Sequence, residues 1–199
     1  MIADVVCGGN AETEAIEALL LLSQYICHRP MPRGESQVGK GEEDRVAWMY
    51  IGLALRLGWY LGIDKAAYDV SDQSSTVCHN RLVWSACYLA DRNVSIRIGK
   101  GFWARAPGPL LEEATNDFPT LMVQPGREQL GKSWQAQLRL TQLFTNVSDI
   151  LYSTTTGASW KEMLDGRYAK HLDDFRVAIE NWNTQWANID CKLSLPCSK

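Results

Sequence analysis

The chain has 199 residues, 46% hydrophobic and 22% charged, which suits one soluble globular domain burying roughly 70% of its unfolded surface. A formal charge of −3, with 20 Lys and Arg scattered and no basic run, excludes a nucleic-acid grip built on a clustered cationic face. The 6 cysteines, at positions 7, 27, 78, 87, 191 and 197, form no Cys-x-x-Cys pair, which excludes a zinc cluster within these residues and suits reduced thiols.

The first fifteen residues lack a charged start followed by an apolar stretch, so no secretory signal is expected. The first helix is predicted over about 11–29, with Asn10 as its cap, Glu12 and Glu14 in its first turn, and Pro30 as its stop. Ile16, Leu19, Leu20, Ser23 and Ile26 line one face. A polar loop, MPRGESQVGKG, separates it from a second helix over about 42–62, opened by Glu42, Glu43 and Asp44. Residues 46–63 are apolar except for Arg56. The charge at its centre and the glycines at 52, 58 and 62 favour a central core helix over a membrane span.

A third helix is predicted over about 76–97, with Leu82, Val83, Ala86, Leu89 and Ala90 on one stripe. The proline-rich stretch that follows reads as loop. Helix four, about 127–153, carries Ala136, Leu140, Leu143, Phe144, Val147 and Leu151 at helical spacing. Helix five, about 159–188, carries Leu164, Tyr168, Leu172, Phe175, Ile179, Trp182 and Trp186. No alternating strand pattern is present. The expected class is all-α, an irregular multi-helix bundle packed around the apolar helix at about 42–62. The sequons at Asn93 and Asn146 fall within predicted helices and carry little weight.

Within this order, AWMYIGLALRLGWYLGIDK (47–65) and RLVWSACYLADRNVSIRIGKG (81–101) form a pattern. Its pieces are Trp48, Gly52, Gly62, Arg81, Trp84, Tyr88, Asp91-Arg92 and Gly99. The pair, with ALLLLSQYICHR (18–29) before it, resembles the middle-homology regulatory domain of fungal zinc-cluster transcription regulators. In that family Gly99 would usually be followed by Arg-Pro; here Lys100-Gly101 follows, which implies a different loop. The family domain has an earlier portion, so residues 1–199 are expected to form a single, partial regulatory domain.

The resemblance implies a non-enzymatic role in the nucleus, controlling DNA-templated transcription through an effector or through contact with transcription machinery or regulator proteins. No cofactor is expected in this chain, since zinc belongs to a separate DNA-binding module, and no membrane or direct nucleic-acid contact is expected. An uncovered apolar face would favour self-association. A stand-alone interaction protein using the same helical domain is an alternative.

The other alternative is a nucleotide-binding enzyme. GREQLGKS (126–133) fits the phosphate-loop pattern, in which Gly126 and Gly131 would free backbone amides, Lys132 would neutralise phosphates and Ser133 would hold magnesium. A short apolar run at 120–123 supplies a candidate strand before it. Such a loop needs a parallel sheet, and the chain offers no further strands, so 127–133 equally read as the first turns of helix four.

Metal chemistry has weak support. Cys27-His28 and Cys78-His79 are neighbours that a helix points about 100° apart. His171 reads as a boundary histidine and Asp173-Asp174 as a solvated helix face. Asp91-Arg92 reads as a structural pair near Trp84 and Tyr88, reaching for a neighbouring helix. No residue is assigned as catalytic.

Overall fold

The computed structural model describes residues 9, 12–26, 42–67, 72–104, 118, 121, 128–152, 166, 169–187 and 189. All regular structure among them is helical, as the pattern implied, and no strand occurs among them. The chain divides into two compact units, Met1–Leu110 and Leu111–Lys199.

The first unit holds α1 (Thr13–Gln24), α2 (Glu42–Leu61), a 3-10 turn (Ile63–Ala67) and α3 (Ser75–Ile98). α1 buries Ile16, Leu19 and Ser23, three and four residues apart, so one face turns inward. Its bounds are shorter than the predicted 11–29. Glu12 occupies the cap position without a side-chain bond, and Tyr25 leaves helical geometry (ψ 68°) with its N–H still on the Leu21 carbonyl. Asn10 and Pro30 lie outside the described residues.

α2 buries Ala47, Ile51, Ala54 and Leu55 along one side. Gly58 continues that side, where a Cβ would come within 2.8 Å of the Trp84 ring, so α2 and α3 meet at a distance that a side chain there would not permit. Gly62, at φ +72°, turns the chain through the left-handed region that glycine enters without strain. α2 rests against α1, the 3-10 turn and α3. Its outward side stays open, with Met49 and Tyr60 61% and 80% exposed. No described helix is long and apolar enough to cross a membrane.

The helix closed on nearly every side is α3. It buries Val83, Trp84, Cys87, Tyr88, Leu89 and Val94, and with them Arg81, Ser85, Asp91, Arg92 and Ser95. Each fully buried large apolar side chain contributes about 1.5–3 kcal/mol. The Ser74 hydroxyl caps its start by accepting the Val77 N–H. Gly99, at φ +62°, ends it. There the Lys100 N–H reaches the Ser95 carbonyl at 2.9 Å and the Gly99 N–H reaches that of Ile96 at 3.3 Å, a Schellman closure. Arg97 pairs with Asp44 at 2.9 Å and ties the end of α3 to the start of α2.

The second unit holds α4 (Glu128–Tyr152) and α5 (Ala169–Trp186). The Trp182 indole N–H donates to the Ala136 carbonyl at 2.9 Å, placing a late turn of α5 beside an early turn of α4. α5 is shorter than the predicted 159–188. Gly166 sits at φ +73°, where a right-handed helix cannot continue, so α5 as described, from Ala169, cannot run unbroken back through it. Leu164 and Tyr168 lie outside the described residues.

The apolar stripe read along α4 is only part of its buried surface. Ala136 is buried, but Phe144 is 51% exposed, while Gln135, Leu138, Thr141 and Thr145 are buried on the opposite side. The Thr145 hydroxyl donates to the Thr141 carbonyl at 3.0 Å, which lets a polar residue go inside. On α5, Phe175, Trp182 and Trp186 of the expected stripe are half-buried, whereas Leu172 and Ile179 are exposed.

Candidate functional site

The family-like residues that chemistry could use gather in the first unit, around the last turns of α3 and the segment 99–104 that folds back on it. Asp91 is at 0% exposure and Arg92 at 4%. One carboxylate oxygen of Asp91 accepts the Arg92 guanidinium at 2.7 Å and the backbone N–H groups of Trp103 and Ala104 at 2.9 Å each. The other accepts the Ser95 hydroxyl at 3.5 Å. Burial pushes the Asp91 carboxyl up from its ordinary range, while the Ala104 and Trp103 amides and the Arg92 charge pull it back down.

The partner of Asp91 is therefore the returning segment, not the neighbouring helix that the sequence suggested. A carboxylate with several acceptor positions is well suited to gathering amides from a loop that has no ladder of its own. Arg92 lies over two rings. Its guanidinium carbon lies 4.4 Å from the Tyr88 ring centroid and 4.4 Å from that of Phe102.

The same segment reaches α2. Trp48 meets Trp103 edge-on at 5.7 Å, and the Arg56 guanidinium covers the Trp103 ring at 5.4 Å. Two donors here are sealed from solvent with no hydrogen-bond partner among the described residues, the Trp48 indole N–H and the Tyr88 hydroxyl. A donor left so costs about 1–3 kcal/mol. Neither Phe102 nor Trp103 was singled out by the sequence, and the aromatic pair in Gly-Phe-Trp was the available signal.

Arg81 forms a second clamp lower on α3. Buried, it donates from Nε to the Ala66 carbonyl at 3.1 Å and from Nη2 to the Asp72 carbonyl at 3.4 Å, holding both sides of the α2–α3 connection. Trp84 lies against Gly58 and 6.1 Å from the Trp59 ring. Gly52 lies on the open side of α2, where an added Cβ would meet nothing within 4 Å.

The phosphate-loop residues are placed differently from a nucleotide site. Gly131, Lys132 and Ser133 lie within α4, and Gly126 lies outside the described residues. Inside a helix the amides from Lys132 onward bond carbonyls four residues back, so they are not free to cradle phosphate. Leu121, of the candidate strand, is in a 3-10 turn, and its flanking residues are not described.

Among the described residues no group of three His, Cys, Asp or Glu could hold a metal ion. His79 faces Glu17 at 3.2 Å, joining α3 to α1. Cys78 and Cys87 are free and buried, and burial together with the Asp91 charge pushes the Cys87 thiol up to about 12. His171 is half-buried, and Asp173 and Asp174 are exposed, with Arg176 at 3.7 Å from Asp173. Cys27 and His28 lie outside the described residues.

The arrangement described is thus a helix end, a buried ion pair and an aromatic strap. Against known proteins, the chain is 28% identical over 155 residues to the transcription factor hmgR of Aspergillus fumigatus, a match covering 72% of this chain and 20% of that protein. The chain thus spans about a fifth of that relative's length. No protein-family model and no solved structure matches it.

Proposed function

We propose that this chain is a non-enzymatic regulatory portion of a fungal-type transcription regulator of the zinc-cluster class, working in the nucleus. The observation that carries the reading is its similarity to hmgR over 72% of the chain. The grouping of Arg81, Trp84, Tyr88, Asp91, Arg92 and Gly99 on one helix and its exit supports it further, because those residues carry the resemblance.

In this reading the chain neither grips DNA nor holds zinc; a separate module does both. It modulates that module through contacts with transcription proteins, or through a small effector that prefers one arrangement of the helices. The sealed Trp48 and Tyr88 donors support the effector route, since an acceptor reaching either would relieve an unpaired group.

The test is to fuse the chain to an unrelated DNA-binding domain and read a reporter carrying the matching sites in a fungal host. The expected result is reporter output clearly above or below that of the DNA-binding domain alone. Equal output at equal protein level refutes the regulatory reading.

A further inference from the structure

The segment that folds back on α3 is seated the way a receptor seats an extended peptide. Its consecutive amides, at Trp103 and Ala104, both reach the same oxygen of Asp91, each at 2.9 Å. Its two rings find separate places: Phe102 lies 4.4 Å from the Arg92 guanidinium carbon, and Trp103 meets Trp48 edge-on with Arg56 over it. Main-chain bonds anchor and side-chain positions select, which is how extended peptides are recognised. As an occupant, however, the segment is incomplete. Trp48, which receives Trp103, keeps an indole N–H with no partner among the described residues. The Tyr88 hydroxyl is likewise unpartnered there, on a side chain at 0% exposure whose ring carries Arg92. Buried donors are ordinarily paired, so two orphans beside one seated segment mark acceptor positions that it does not supply.

We propose that residues 102–104 are a displaceable plug on a peptide-binding surface of α2 and α3, whose partner is an extended segment of another protein carrying two adjacent aromatic residues. The incoming segment sets two consecutive backbone N–H groups on Asp91, one ring over Arg92 and the next against Trp48. A carbonyl or hydroxyl of the incoming segment takes the Trp48 or the Tyr88 donor. The guanidinium groups of Arg92 and Arg56 select aromatic rings over aliphatic side chains, because only a ring offers a cation its face.

The plug has a way out. Gly99 turns the chain through the left-handed region at φ +62°, and a Cβ on Gly101 would meet nothing within 4 Å. Trp103 is 42% exposed, so its ring stands at the rim. A partner competes with a tethered segment whose effective concentration is on the order of millimolar, so the surface stays closed to weak ligands. The proposal does not depend on the transcriptional reading.

The test sets a free segment against the tethered one. A fluorescein-labelled peptide with the sequence of residues 99–104, Gly-Lys-Gly-Phe-Trp-Ala-amide, is titrated with the full-length chain and followed by fluorescence polarisation. The double variant Phe102→Ala with Trp103→Ala, which empties both ring positions, is expected to bind it saturably in the micromolar range. The wild type, with its plug in place, should bind at least about tenfold more weakly. A second peptide, N-methylated at its Trp and Ala nitrogens, has no amide to give Asp91 and should lose at least about tenfold in affinity for the double variant. Circular dichroism checks the helix content of the double variant; if it falls, Trp103→Ala alone, at the rim, takes its place. No saturable binding up to about 1 mM, equal binding by wild type and variant, or an N-methylated peptide that binds as well would each overturn the proposal.

Discussion

Asp91→Ala isolates the contribution of the ion pair to the first unit. The substitution removes the carboxylate and leaves four donors behind it: the Arg92 guanidinium, the amides of Trp103 and Ala104, and the Ser95 hydroxyl. Arg92 is 4% exposed, so its charge has little water to turn to. Breaking a buried pair by deleting one partner costs about 3–5 kcal/mol, and each orphaned amide adds to that unless the segment peels away to reach solvent. If it peels away, Trp103 also leaves Trp48 and Arg56. Both routes give a loss of about 3–5 kcal/mol, a large fraction of the roughly 5–15 kcal/mol that holds a domain folded. Urea titration followed by far-ultraviolet circular dichroism reads the loss. Tryptophan emission, read before unfolding, reports whether the strap has already lifted. A loss under about 1 kcal/mol would refute the view that Asp91 fastens the strap, because that is the size of an ordinary surface change.

Three further outcomes are expected. Because burial raises the Asp91 carboxyl in the folded state, the native protein holds that proton more tightly than the unfolded chain. The associated stabilisation is full below the ordinary carboxyl range and declines as pH rises through the folded-state pKa, so the urea midpoint of the wild type relative to Asp91→Asn should fall over that window. A gap that widens with pH would mean that the amides and Arg92 outweigh burial. Gly58→Ala, whose Cβ would stand 2.8 Å from the Trp84 ring, should cost about 1–3 kcal/mol by forcing α2 and α3 apart; an unchanged urea midpoint would disprove the close approach. Cys87, with its thiol pushed up to about 12, should resist iodoacetamide at pH 8 in the native protein and react once urea is added, as read by peptide mass mapping. Native-state alkylation there would contradict its burial.

The middle of the first unit was legible because several signals agreed there. Acidic residues opened α2 at Glu42, Gly62 closed it, and Gly99 closed α3, so both bounds fell within about a residue of the structure. The ends of α1 and α5 were overread. A proline marks the farthest point a helix can reach rather than where it stops, and Gly166 was passed over although its left-handed backbone sets where α5 can begin.

Hydropathy also pointed to α2 as the more enclosed helix. α3 has more polar residues, but Arg81, Asp91 and Ser95 are satisfied inside, and an apolarity count does not register partners. The same blindness hid Thr141 and Thr145 on the deep side of α4. Asp91-Arg92 was visible as a pair, but its partners at 103 and 104 were not, since a loop that binds through its amides leaves no side-chain pattern to read.

The way α3 ends has a bearing on how freely nearby positions can vary. Gly99 makes the reversal through its own backbone, Lys100 contributes only its amide, and Asp91 holds the chain again at 103 and 104. Gly101, between these two anchorages, has no positive φ, and a Cβ added there would meet nothing within 4 Å. Position 101 is thus a place in the corner where a side chain could stand without disturbing either anchorage.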